Sequence, residues 1–450
     1  MKAKRRALAQ RREIVGHTQE TLAEFMGVEL STVGRWERGE TSPQPWCRPR
    51  LAQALTVSLE ELDRMLAEGQ PVEETPETAD EPVEVPEQDR VLSAPWSHRG
   101  TVEVAVVLRG GDRVRRRGFV FLTGAALTAP AHQWLVHEPE PLISGLAGRR
   151  VSTELADRFT AMIGELRAMD DIAGGGTVLP LAKQQFGLVA DLLDQASYDE
   201  STGRRFHVVL AELGQLCGWC GYDAGQQGLA QRYYISALRA AHSADDRALG
   251  AHILSCMAEQ AARQGQPAEA VTLIDTALAG MRGQQAPRLL AELHIRQACA
   301  LAALHDVPAC TTAVSQARAY VEPREEDPPW LYWVSQADIT SFAGECLLRL
   351  GQTDRAAVLI EEGIALFDES FVRDRQFFSI HLADALARPG KQRDLEAAAD
   401  RGMAAIHLTE TLDSRRSTDL LSGFCHQMKS HAKVPAVEDF LDRAGGLVQV

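Results

Sequence analysis

"TQETLAEFMGVELSTVGRWERGE", residues 18–40, decides how the rest of the chain is read. Thr18 is a good N-cap for a helix over Gln19–Met26, and Gly27 stops that helix. A third helix begins near Leu30 and ends at Gly39, and a first one runs from about Lys4 to Val15. Helix, short turn with glycine, helix is helix-turn-helix spacing. Leu22, Ala23, Phe25 or Met26, Val28, Val33 and Trp36 supply its buried face; Trp36 reads as core and not as a base-stacking residue.

From Leu8 to Leu66 the sequence resembles the phage-repressor-like (XRE-type) family, with "LAQALTVSLEEL" (Leu51–Leu62) as the closing helices. The resemblance implies a set of roles. Gln19 matches the family's phosphate and base-edge clamp. Leu30, Ser31, Thr32 and Arg35 match recognition-helix positions facing the major groove, and Arg38 a backbone-contacting position. Arg12 and Glu37 match an internal ion pair between helices 1 and 3. The side-chain chemistry suits these places. Arg35 can give guanine O6 and N7 a bidentate contact, Ser31 and Thr32 can bond base or phosphate, and Leu30 can pack on a thymine methyl. Two residues depart from the pattern. Glu29 suits the helix dipole but repels phosphate, and Gly34 weakens the helix by about 1 kcal/mol relative to alanine.

Charge separates this head from the remainder of the chain. The protein carries -15 overall, yet residues 1–50 hold ten Lys/Arg against six Glu. Residues 67–90 hold nine acids, one base and four prolines, a self-repelling linker composition. The local field around the head therefore has the sign that DNA requires. The expected domains are a DNA-binding head (1–68), an acidic linker (69–95), a partly helical intermediate region (96–200) and a helical repeat domain (201–450). A small β-hairpin is expected near 101–122, where Arg109-Gly110-Gly111-Asp112 supplies turn residues between apolar runs.

Beyond residue 150 almost everything reads as amphipathic helix, and it repeats. Gly225, Gly265, His305, Gly351 and Gly390 lie 40, 40, 46 and 39 residues apart. Gly218, Ala258, Ala298, Gly344 and Ala383 sit seven residues before them; Ala237, Ala277, Ala317, Gly363 and Gly402 sit twelve after. Small residues at those offsets mark close crossings between the helices of a pair. The pattern over about 205–405 resembles the tetratricopeptide repeat, with units longer than its usual 34 residues. The fold class is thus mostly α: a helix-turn-helix domain plus a tetratricopeptide-like α-solenoid.

In such solenoids the first helix of each pair lines a concave groove. That register places Glu212, Gln215, Trp219, Glu259, Asp338, Glu345 and Asp384 in the groove, with His252, Ser255, Glu292, Ile295, Cys299, Ser341, Phe377 and Ile380 beside them. Acids without Lys or Arg make it attractive to a cationic segment or an amine; a peptide, a small molecule or a partner protein would occupy it. "DPPWLYWVSQAD" (Asp327–Asp338) is either a pocket wall or, more often at helical spacing, core. Related regulators grip peptide backbone with asparagines, and this chain has none.

Enzyme readings are weak, and no catalytic residue, cofactor or metal is expected. The histidines show no metal-ligand spacing with cysteines or acids. "CGWC" (Cys217–Cys220) has dithiol spacing, which leaves a thiol redox sensor as one alternative, but no strand precedes it. The cysteines sit in apolar helical contexts as reduced thiols do, and no run is long enough to span a bilayer, so a cytoplasmic protein is expected. The whole resembles actinobacterial regulators that join an XRE-type head to tetratricopeptide repeats. That implies a sequence-specific transcription regulator on double-stranded operator DNA, homodimeric because one head buries too little surface for tight binding. The other alternative is an interaction scaffold with a non-functional head.

Overall fold

In the computed structural model the chain divides into two compact units, Met1–Val83 and Glu84–Val450. The described residues are 6–15, 17–26, 28–38, 41, 43, 48–55, 57, 62, 65–66, 87–110, 120–140, 148–284, 286–324 and 327–446.

The first unit holds α1 (Arg6–Ile14), α2 (Gln19–Met26), α3 (Leu30–Glu37) and α4 (Arg48–Leu55). Thr18 caps α2 as its position demands, its Oγ1 accepting the Thr21 N–H at 3.1 Å. Leu22, Ala23 and Met26 of α2 pack with Val33 and Trp36 of α3, with Leu51 and Leu55 of α4, and with Leu8 and Leu62. Fully burying one such leucine stabilises the unit by about 1.5–3 kcal/mol. Of Phe25 and Met26, the 3.6-residue period turns Met26 inward and leaves Phe25 38% exposed.

Most of the linker lies outside the described residues, but its far boundary needs correcting. Glu87–Ser93 is a helix, α5, and its Val91 is fully buried in the core of the second unit. The acid-rich composition around it masks one apolar seat.

The expected hairpin is also corrected. Thr101 to Leu108 belong to α6 (His98–Arg109), while residues 111–119 lie outside the described set. Alternating valines suggest a strand. The segment is a helix because Ser97 caps it, accepting the Gly100 N–H at 3.1 Å, and because Val104, Ala105 and Leu108 share one buried face. α7 (Ala125–Val136) comes next, and its Trp134 is completely buried.

The remaining helices are α8 (Thr153–Ala173), α9 (Gly175–Gln195), α10 (Glu200–Asp223), α11 (Gln227–Ser243), α12 (Arg247–Arg263), α13 (Pro267–Gly280) and α14 (Pro287–Ala303). They continue with α15 (Val307–Tyr320), α16 (Gln336–Arg349), α17 (Thr353–Leu366), α18 (Val372–Ala387), α19 (Leu395–Thr409), α20 (Arg415–Met428) and α21 (Pro435–Ala444). Successive helices pack as pairs, α10 on α11, α12 on α13, α14 on α15, α16 on α17 and α18 on α19. The turns inside the first four pairs fall at the aligned positions. Gly225, Gly265, His305 and Gly351 have φ of 77°, 78°, 59° and 77°, the left-handed conformation that closes a helix. Gly390 lacks it, so the α18–α19 connection is built differently. A Cβ on Gly218 would lie 2.5 Å from the Tyr234 ring, which is why that crossing holds a glycine.

No domain boundary separates 96–200 from the repeats: α6 packs against α9 and α11, and one hydrophobic core runs from Val91 to Ala385. The array also closes on itself. α8 packs against α18, and α10 against α20. At the seam the Asp413 N–H donates to Ala173 O at 2.8 Å, and the Gly176 N–H donates to Asp413 O at 2.9 Å. Gly174, at φ 83°, lets the two backbones meet there.

Candidate nucleic-acid interface and the interior of the helical array

On α3 the buried residues Val33, Gly34, Trp36 and Glu37 leave one outward face. Leu30, 45% exposed, lies on that face together with Ser31 and Arg35. Thr32 is half-buried, and Arg35 Nη2 donates to its Oγ1 at 3.1 Å, which steadies the guanidinium. The Ser31 hydroxyl donates to Glu29 at 3.3 Å. Arg38 is exposed one turn on, its guanidinium folded against Gly34.

Gln19 is placed differently from a free clamp. Its Nε2 donates to Glu37 Oε2 at 2.5 Å, and Glu37 Oε1 accepts from Arg12 Nε at 2.6 Å. Arg12 and Glu37 are 7% and 9% exposed, so the pair joins α1 to α3 inside the unit. Gln19 therefore fixes the start of α2 against the end of α3.

Gly34 now has a physical account. A Cβ there would meet Arg38 Nη1 at 2.9 Å, the far end of a flexible side chain. Gly34→Ala should therefore stabilise the first unit by about 0.5–1 kcal/mol through helix propensity while moving Arg38. Thermal melts of the two proteins check this; a lower melting temperature for the alanine variant would refute it.

Residues 5–65 match the family model of a helix-turn-helix domain. The match falls within the first unit, covering α1 to α4, and leaves the larger part of the chain uncovered. No curated protein matches the chain. The helix-turn-helix domain presents Leu30, Ser31 and Arg35 as a row along one helix, the arrangement by which such domains meet a duplex.

In the second unit the expected acidic groove is corrected on two counts. Most of the residues assigned to it are interior, and four of its acids, Glu212, Glu259, Glu345 and Asp384, are paired with arginines. Glu212, Gln215, Glu259, Asp338 and Glu345 are 7%, 7%, 2%, 2% and 1% exposed. Arg167 donates to Glu212 at 3.0 Å. Arg263 donates to Glu259 at 3.0 Å and to both oxygens of Glu345 at 2.6 and 2.8 Å, and Arg296 reaches Glu259 at 3.1 Å. Asp338 makes a capping box with Ser335 at the start of α16. Asp384 is half-buried and bonded twice, at 2.8 Å, to Arg388. Trp219 lies beneath Arg373 and Arg416. The repeat register samples three positions per helix. It stops one turn short of Arg263 and Arg388, which follow Glu259 and Asp384 by four residues, and passes over Arg296, four residues after Glu292. Closure of the array adds Arg373 and Arg416.

A cavity of about 60 Å³ remains at the centre, lined among others by Arg167, Trp219, Arg296, Trp330, Arg373 and Arg416. "DPPWLYW" forms part of its wall. Trp330 starts from a 3-10 turn (Pro329–Leu331), stacks on His252 at 4.6 Å, and is followed by Tyr332, whose hydroxyl donates to Asp171 at 2.6 Å. The 46-residue spacing, longer than its neighbours, is where this loop enters.

The structure also joins groups that the repeat register does not single out as partners. His252 Nδ1 lies 2.9 Å from Glu292, and Cys256 Sγ lies 3.9 Å from His252 Nε2. His252 and Cys256 are four residues apart on α12, which corrects the reading that no histidine has metal-ligand spacing with a cysteine or acid. Glu292 arrives one repeat later, and the three ligand atoms lie within 4.8 Å of one another. Burial alone would push His252 down, but Glu292 and Cys256 override it and hold the imidazole at about 10. A histidine raised in this way stabilises fully below its ordinary value of 6.5, and that contribution fades as pH rises toward 10. The melting temperature should therefore fall across that window, and Glu292→Gln should flatten the slope. An unchanged slope would refute the pairing.

Cys217 and Cys220 are completely buried in the last two turns of α10, and burial pushes both thiols far above their ordinary range. Neither is the exposed, low-pKa thiol a redox sensor requires, which sets that alternative aside. Among the described residues no helix is long and apolar enough to cross a membrane.

Proposed function

We propose that the chain is a sequence-specific DNA-binding transcription regulator whose helical unit both dimerises and senses a signal, acting in the cytoplasm. The observation that carries the DNA-binding part is the exposed row Leu30, Ser31 and Arg35 on α3, set over the buried Val33 and Trp36. The resemblance to XRE-type heads and the excess of Lys/Arg in residues 1–50 point the same way. The helix pairs with left-handed turns suit the tetratricopeptide reading. A dimer would set two heads on half-sites about 10 bp apart or a multiple of that.

Arg35→Ala is the decisive variant. It should weaken binding to the preferred operator by about 1–3 kcal/mol and relax specificity at one base. A mobility shift on a sequence selected from random duplexes reads both. Should the parent protein show no salt-dependent binding to any duplex, the scaffold alternative replaces this reading. Sedimentation of the full chain tests the dimer, and a monomer at working concentration would refute it.

A further inference from the structure

We propose that the cavity within the helical array binds a small oxyanion, a carboxylate or phosphate group, through Arg167, Arg296, Arg373 and Arg416. This rests on the sensing role proposed above and gives that role a ligand class.

The four arginines line one cavity, and their side chains are 10%, 5%, 5% and 13% exposed. Each is anchored by an acid: Glu212 for Arg167, Glu259 for Arg296, Asp170 and Asp171 for Arg373, and Asp223 for Arg416. Each nevertheless keeps a buried N–H without a partner, at Arg167 Nη2, Arg296 Nε, Arg373 Nε and Arg416 Nη2. A buried donor left unmet costs about 1–3 kcal/mol, more when it is charged, and native interiors rarely leave one so. A guanidinium fixed on one side by a carboxylate, with donors to spare, is preorganised for an anion.

An anion can enter if an acid of the lining takes up a proton. Arginine does not release its proton here, whereas burial disfavours the charged form of an acid. Burial raises Asp171 to about 7 against the pull of Arg373, and raises Asp170 and Asp338 as well. Asp374 lines the cavity as well, so four guanidiniums face four carboxyls, and one guanidinium charge is left over when Asp171 takes a proton. Trp219 and Trp330 exclude solvent and lower the local dielectric, which strengthens a charge-assisted bond. The volume of about 60 Å³ would hold roughly four waters, room enough for a compact oxyanion head.

The site also lies where a ligand would be felt. Arg373 ties α18 to Asp170 and Asp171 of α8, and Arg416 ties α20 to Asp223 of α10. An anion bound to both arginines would tighten the seam at which the array closes.

The test is calorimetric titration of the full chain, in chloride buffer near neutral pH, with inorganic phosphate in one arm and acetate or malonate in the other. Saturable binding in either arm supports the site, and the stronger arm names the source. Arg167→Gln combined with Glu212→Gln removes a donor and its anchor without stranding a charge, and should weaken binding about tenfold or more. Arg416→Lys keeps the charge but loses the fork, and should weaken it as well if the first variant does not fold. Arg35→Ala should leave it unchanged. No saturable heat in either arm up to about 10 mM means that the cavity holds water alone and overturns the proposal. Binding that survives both cavity variants, or that Arg35→Ala removes, places the ion elsewhere and overturns it equally. Mobility shifts with and without the anion then read the regulator separately: tight anion binding with no change in DNA affinity would leave the site standing and end the sensing role.

Discussion

Arg263→Ala is expected to lower the unfolding free energy of the helical unit by about 3–5 kcal/mol, the usual consequence of removing one partner from a buried ion pair. The arginine bridges Glu259 and Glu345, which are 2% and 1% exposed, and its guanidinium lies 4.8 Å from the centre of the Phe377 ring. Without it, two carboxylates face each other with only Arg296 and Arg349 to share. Glu345→Gln in the same background should recover part of the loss, because it removes one of the stranded charges. Urea denaturation followed by circular dichroism measures both. A loss under about 1 kcal/mol would mean that the network is open to water. The same pairs set the acid limit of the fold. Burial would raise Glu259, but Arg263 and Arg296 override it and hold the carboxyl at about 2; Glu345 is depressed in the same way. A depressed carboxyl stabilises above its ordinary value of 4.5, and that contribution disappears as pH falls toward 2.

Glu37→Ala should be as damaging to the helix-turn-helix domain. It leaves Arg12 buried without its carboxylate and Gln19 without its acceptor, again a loss of about 3–5 kcal/mol. A domain of this size has a total stability of about 5 kcal/mol. The variant should therefore lose DNA binding by unfolding, whereas Arg35→Ala loses it with the fold intact. Amide hydrogen exchange across α1–α3 separates the two cases. Protection unchanged from the parent in the Glu37 variant would show the ion pair to be dispensable.

The parts of the molecule legible in the sequence are those set by local chemistry. The Thr18 cap and the bounds of α2 agree between sequence and structure. Gly225, Gly265, His305 and Gly351 adopt the turn conformation that their register implies. Gly34 needs the structure to explain it, through Arg38. The illegible parts depend on residues far apart in the chain. Arg373 meets Asp170 across 203 residues, and Arg416 meets Asp223 across 193; no periodicity predicts either. The groove reads as open and acidic from sequence because the register stops one turn short of Arg263 and Arg388 and passes over Arg296, and because Arg167 and Arg416 come from helices it does not include. Alternating valines near 101–108 mislead for a related reason. A period of two marks a strand only if a sheet is there to receive it, and these side chains seat on α9 and α11 instead.

The seam where Asp413 meets Ala173 and Gly176 gives the second unit a property that open solenoids lack. Stacked modules that touch only their nearest neighbours can be lengthened, trimmed or melted from either extremity. A row whose beginning is stitched to its later helices has a fixed circumference. Evolution could not add or drop one module without tearing that stitch, and heat should undo the whole loop at once.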